Sequence, residues 1–140
     1  MPTDNIIAST VTLLANNWTA ANTGNVTPAI KDVSDVKRIG GDSVLIHSIA
    51  GPVSDNASGA QTKKKVKTIA INCRSFKSHA QALLIQEEVE RIMNANQVDP
   101  FGDQVYDISD VDDVEDLSER TRGLFMFKVM IKFEQFNIAI

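Results

Sequence analysis

From Gly123 to Ile140 the chain alternates apolar and polar residues. Phe125, Phe127, Val129, Ile131 and Phe133 occupy odd positions, while Lys128, Lys132 and Glu134 occupy even ones. A period of two predicts a half-buried strand. After Phe133 the parity flips, since Phe136, Ile138 and Ile140 are all even. A strand keeping one apolar face would need a bulge near Glu134 and Gln135. Four of the six phenylalanines lie in this segment, so it needs cover from the chain's own core or from a neighbouring subunit.

The rest of the pattern supplies two helices and four further strands. Ile7, Val11, Leu14 and Trp18, widened by Ile6 and Leu13, recur at helical spacing and predict a helix over about Thr3 to Asn17. Asn22-Thr-Gly-Asn25 tolerates left-handed backbone, and Pro28 keeps the chain out of a continuing helix. Ile30, Val33, Val36 and Ile39 read as one irregular strand ending at Gly40-Gly41, and Ser43 to Ile49 as a central strand. Residues 51–64 are rich in Gly, Ser, Asn and Asp and predict a long mobile loop, followed by a strand over Lys65 to Arg74. Ser78 and Gln81 have capping-box spacing and open a second helix ending near Asn96. Its buried stripe is Ala82, Ile85, Val89, Ile92 and Met93, with Gln86, Glu87, Glu90 and Arg91 on the wet side. After the turn Asp99-Pro-Phe-Gly-Asp103, Val105 to Leu117 predicts an acid-flanked strand. The order α-β-β-β-α-β-β describes an α+β domain, a mainly antiparallel sheet with two helices packed on one face.

Composition fits a single domain over residues 1–140. Hydrophobic residues make up 43% and charged residues 23%, the balance of an ordinary globular core. A net charge of −4 argues against a general polyanion binder. No apolar run approaches the roughly 18 residues of a membrane span, and no signal segment is visible, so no membrane partner is expected and the chain should be cytosolic when made. Cys73 is the sole cysteine, which excludes an intrachain disulfide framework and a cysteine-based zinc site.

Candidate chemistry is sparse. Cys73 with His47 or His79 is the one conceivable nucleophile–base pair, against the simpler reading of a core histidine, an exposed helix-start histidine and a small buried thiol. Gly40-Gly41, Gly51 and Gly59 match no phosphate-binding fingerprint. Asp107, Asp110, Asp112, Asp113, Glu115 and Asp116 form an acidic run without the glycine and terminal glutamate of a calcium loop. These acids read as a solvated face, one side of a subunit contact, or a channel lining that repels DNA phosphates. Lys63, Lys64, Lys65 and Lys67 suggest nucleic acid but lack interleaved aromatics for base stacking. No cofactor is expected.

Taken together, these features resemble the tail terminator, or tail completion, proteins of long-tailed bacterial and archaeal viruses and related gene-transfer particles. The resemblance rests on the opening helix from Ile6 to Trp18, on Thr27-Pro-Ala-Ile-Lys-Asp-Val33 leading through Asp35-Val-Lys-Arg38 to Asp42-Ser-Val-Leu-Ile46, and on the helix from Ser78. It extends to the acidic strand followed by Arg120-Thr-Arg-Gly-Leu-Phe125 and the closing strand. It implies a non-enzymatic virion protein that forms a ring, usually hexameric, on the head-proximal end of the tail tube. There it would stop tube polymerisation, meet the tail tube protein and a neck or head completion protein, and let DNA pass without sequence-specific binding. Its place would be the neck of the virion, reached from the host cytoplasm.

A closed ring repeats one heterologous contact. Phe133, Phe136, Ile138 and Ile140 are the expected residues for the subunit or tail-tube contact. Lys63, Lys64, Lys65 and Lys67, with the loop before them, and Asp110, Asp112, Asp113 and Asp116 are expected to face the lumen or an axial partner. Two other functions fit the same sequence: a different head–tail connector, such as a head completion or neck protein, and a small nucleic-acid-binding domain using Lys63 to Lys67.

Overall fold

The apolar runs pair into one sheet in a computed structural model that describes residues 6–32, 41–49, 62–102, 106–119 and 123–138. Its elements are α1 (Ile6–Asn17), a 3-10 turn (Ala20–Thr23), β1 (Ala29–Asp32), β2 (Ser43–Ile49), β3 (Thr62–Ser75), α2 (His79–Ala95), β4 (Tyr106–Asp116) and β5 (Phe125–Ile138). The five strands lie in the order β1-β2-β3-β5-β4. β1 runs parallel to β2, and every other neighbouring pair is antiparallel. This is the expected α+β architecture.

Alternation along the central strands sends one set of side chains under the helices. Val44 and Ile46 of β2, Ile69, Ile71 and Cys73 of β3, and Val129, Ile131 and Phe133 of β5 meet Leu14 of α1 and Ile85, Val89, Ile92 and Met93 of α2 in one buried cluster. The stripe predicted for α2 is therefore correct, except that Gln86 is buried. In α1 the buried positions are Ile6, Thr10, Leu13 and Leu14, so the inward face is rotated about one position from the predicted stripe, with Ile7, Val11 and Trp18 packed at its margin. Thr10 tolerates this site because its hydroxyl donates to the Ile6 carbonyl at 2.7 Å.

Half of the predicted capping box forms. Ser78 Oγ accepts from the Gln81 amide at 3.1 Å. The Gln81 side chain does not return to the cap: its Nε2 donates to the Thr23 carbonyl at 2.9 Å and to Asp42 Oδ2 at 3.0 Å. Asp42 Oδ1 accepts from Ser75 Oγ at 2.8 Å, so one buried amide joins the turn after α1, the start of β2 and the end of β3. The preceding turn needs left-handed backbone at Gly24 (φ 66) and Asn25 (φ 62), as the sequence suggests.

Two strand predictions change. β3 begins at Thr62, earlier than expected, and pairs with β5 in unbroken register from Thr62↔Ile138 to Ser75↔Phe125. The bulge expected near Glu134 and Gln135 is absent from that ladder. Register shifts fall instead in β4, between Ile108 and Asp110 and between Asp112 and Glu115. The edge strand is the easier one to deform, because only one neighbour constrains it. Of the predicted irregular strand, Ala29–Asp32 is β1, and residues 33–40 lie outside the described residues.

Candidate assembly surfaces

β3 and β5 run side by side for fourteen residues each, longer than either flanking strand accompanies them. β2 pairs with β3 only from Thr68 to Arg74, and β4 reaches β5 only as far as Gln135. Among the described residues, β3 from Thr62 to Lys67 thus has β5 as its only partner strand. Only residues 62–64, opposite residues 136–138, have no other described strand on either side, a two-stranded ribbon of about 10 Å at ~3.3 Å per residue. It carries Lys63 and Lys64, opposite Asn137 and Phe136, while Lys65 sits opposite Gln135, which β4 also reaches. Lys63 and Lys64 belong to a strand, not to the predicted loop, of which residues 51–61 lie outside the described residues, and Lys65 lies in β3 as predicted. Lys67 is exposed, and its Nζ lies 5.7 Å from the Tyr106 ring centroid.

The expected contact residues divide at Phe133. Its side chain is completely buried, with ring centroids 5.5 Å from Phe101 and 6.3 Å from Tyr106. Continuous register gives it the parity of Val129 and Ile131, so it completes the subunit's own core and offers no exposed contact. Phe136 and Ile138 belong to the ribbon, at backbone positions of the opposite parity, and Ile140 lies outside the described residues.

β4 forms the sheet edge, and its acids run alongside the core-covered part of β5. Asp110 pairs with Lys132, Asp112 with Met130, Glu115 with Lys128 and Asp116 with Phe127. Asp113 falls within the second register shift. The acidic run thus extends from Asp107, opposite Glu134 at the end of β5 that faces the β3 lysines, to Asp116, opposite Phe127 near its start. Asp116, expected to face a lumen or partner, is engaged locally: Ser118 donates to Oδ1 from its hydroxyl at 2.6 Å and its amide at 3.0 Å. His79 Nε2 lies 3.0 Å from Oδ2. The Ser118 hydroxyl, then His79, push the Asp116 pKa down to about 2. His79 also sets its ring edge-on to Phe127 at 4.9 Å, so the pair ties the end of β4 to the start of α2.

One charged group lies deep in the structure and has no counterpart in the sequence reading. The Glu88 side chain on α2 is 1% exposed. Its carboxylate accepts from the Thr19 amide at 2.7 Å, from Asn22 Nδ2 at 3.0 Å and from Arg91 Nη2 at 2.8 Å. Arg91 Nη2 also donates to the Asn17 carbonyl at 3.0 Å, closing a clip between the end of α1 and the middle of α2. Burial alone would raise the Glu88 pKa, but these hydrogen bonds outweigh it and hold the pKa below the ordinary value.

His47 is half-buried on the face away from the helices, opposite Ala70, rather than in the core. Cys73 is fully buried. Burial, helped by the charge of Glu90, raises its pKa far above that of an ordinary thiol, which leaves it protonated at neutral pH. Cys73 is accordingly expected to stay unlabelled by iodoacetamide at pH 8 in the folded protein and to label fully in denaturant, as read by intact mass. Among the described residues, no three His, Cys, Asp or Glu side chains converge as a metal site, and no helix is long and apolar enough to cross a membrane.

No family model matches the chain, and no curated protein matches it in sequence. A solved structure does match in fold. It is a chain of "Virion of native gene transfer agent (GTA) particle", superposed with a TM-score of 0.66 over 94% of this chain and 95% of that one, at 12% identity. The two chains share one fold almost from end to end. At that identity the likeness is one of fold alone.

Proposed function

We propose that this protein is a structural virion component and, within the particle, a tail terminator. A ring of its copies, usually hexameric in this class, caps the head-proximal end of the tail tube, ends tube growth and joins the tail to the head. The observation that carries this reading is the near full-length fold likeness to a chain of a gene transfer agent virion. The β3–β5 ribbon supports it, because a strand pair with no third described strand beside its end is suited to contacts between copies or with the tube. The protein acts by binding and not by catalysis, with tube protein below, a neck or head completion protein above, and DNA passing through the ring.

Native mass spectrometry across a concentration series, with and without purified tail tubes, tests this reading. The expected result is a closed hexamer, free or on tube ends. A monomer that binds no tube overturns it, and cross-linking to head-side neck proteins alone moves the assignment to another connector. Deleting residues 135–140 is expected to leave a folded, soluble monomer that no longer forms rings, since Phe133 is the last residue of β5 in the core among the described residues. An unfolded truncation would show instead that these residues complete the domain itself.

A further inference from the structure

Among the described residues, the exposed large hydrophobic side chains are Val26, Phe76, Leu83, Leu84 and Val98, and none belongs to a strand. Leu83 and Leu84, 37% and 38% exposed, stand in the first half of α2, with exposed Ala80 one turn earlier. A solvated helix carries polar or charged residues at such positions. Val98, beyond the last turn of α2, is 82% exposed yet firmly held. On one side of it the Gln97 carbonyl accepts from the Ile108 amide at 2.8 Å, and on the other the Asp99 amide donates to Asp107 Oδ1 at 2.9 Å. Asp99 adopts left-handed backbone (φ 47), uncommon for a residue other than glycine, so an apolar tip is kept in water on a strained, anchored turn.

Two residues on, Pro100 and Phe101 form one wall of a groove of about 370 Å³, and Ala8, Thr12, Leu13 and Asn16 of α1 form the other. No charged side chain lines it. Between Asp4 and Lys31 the chain carries no charge at all, although charged residues make up 23% of the whole. Thr12 Oγ1 donates to the Ala8 carbonyl at 3.1 Å and Asn17 Nδ2 to the Leu13 carbonyl at 2.8 Å. These polar groups are engaged on their own helix, so an apolar partner can cover them at little cost. Depletion of charge marks the core of a protein–protein contact, whereas a nucleic acid or an anionic membrane would require cations here. The ridge of Leu83 and Leu84 is the matching surface, and it cannot fill the groove of its own subunit. Along α2, at 1.5 Å per residue, the leucines and Val98 lie about 20 Å apart.

We propose that the groove between α1 and Pro100-Phe101, with Val98 beside it, receives the Leu83 and Leu84 ridge of a second copy. Two different surfaces of one chain then meet, which is the heterologous arrangement that closes rings. The inference rests on the ring reading and names a contact between its subunits.

The test uses two variants of the full chain, Thr12→Arg in the groove and the double variant Leu83→Glu, Leu84→Glu on the ridge. Sedimentation velocity over a concentration series reads their association, and circular dichroism checks their folding. All three positions are exposed on helices, so both variants are expected to fold, and Leu84→Ser replaces the double variant if it does not. Each variant alone is expected to weaken self-association roughly tenfold or more. Mixed together they are expected to form dimers that grow no further, because one keeps an intact ridge and the other an intact groove. Rings that persist in either variant, or a mixture that stays monomeric while the wild type forms rings, overturn this contact and leave the ring reading standing. Dimers in the mixture, beside a wild type that associates only into open chains, support the contact and remove the ring. A wild-type chain that stays monomeric at every concentration, with and without tail tubes, overturns both.

Discussion

Phe133→Ala is expected to cost about 3–5 kcal/mol of folding stability, the range for removing a buried aromatic ring, and to lower the melting temperature by roughly 10–20 °C. Phe133 is fully buried among Phe101, Tyr106, Ile131 and Val129, and its neighbours Phe101 and Tyr106 are held by tight turns and edge-strand pairing that limit collapse into the void. Domains of this size have about 5–15 kcal/mol in total, so the variant should melt early and lose assembly only as a by-product. Thermal denaturation followed by circular dichroism, beside native mass spectrometry, separates the effects. An unchanged melting temperature with lost assembly would return Phe133 to a subunit contact.

Glu88→Gln is expected to be nearly as damaging, at about 3 kcal/mol or more, because it leaves Arg91 and the Thr19 amide facing a neutral amide where a buried carboxylate held them. The effect depends on pH with a definite sign. The folded-state pKa of Glu88 lies below the unfolded value of about 4.3. The ionised clip therefore stabilises the wild type fully above that value, and the stabilisation fades as pH falls through the folded pKa. Urea unfolding at pH 7 and at successively lower pH should show the gap between wild type and variant narrowing only on the acidic side. A gap independent of pH would mean that shape, not charge, holds the clip.

Local signals in the sequence carried the elements that depend on neighbours a few residues away. The α2 stripe from Ala82 to Met93, the Ser78 cap and the left-handed turn at Gly24 all rest on spacing within one or two turns, and all appear in the structure. Long-range partners were not legible. Glu88 looks like an ordinary surface acid until Asn22, 66 residues earlier in the chain, is brought beside it. Gln81 fits a capping box, yet the carbonyl of Thr23 and the carboxylate of Asp42 compete for its amide and win. The parity flip after Phe133 correctly signals a change along β5. The register holds through Glu134 and Gln135 without a bulge, which leaves Phe136 and Ile138 at backbone positions of the opposite parity, and alternation alone does not distinguish the two outcomes.

The last three pairs of the β3–β5 ladder, from Thr62↔Ile138 to Lys64↔Phe136, lie beyond Phe133. Substitutions there replace neither a described member of the Phe133 cluster nor a member of the Glu88 clip, so a lineage can exchange one binding partner for another while the domain keeps its melting behaviour. Recognition and stability then evolve on separate accounts, and a protein built this way would keep its architecture long after its sequence had ceased to resemble its kin.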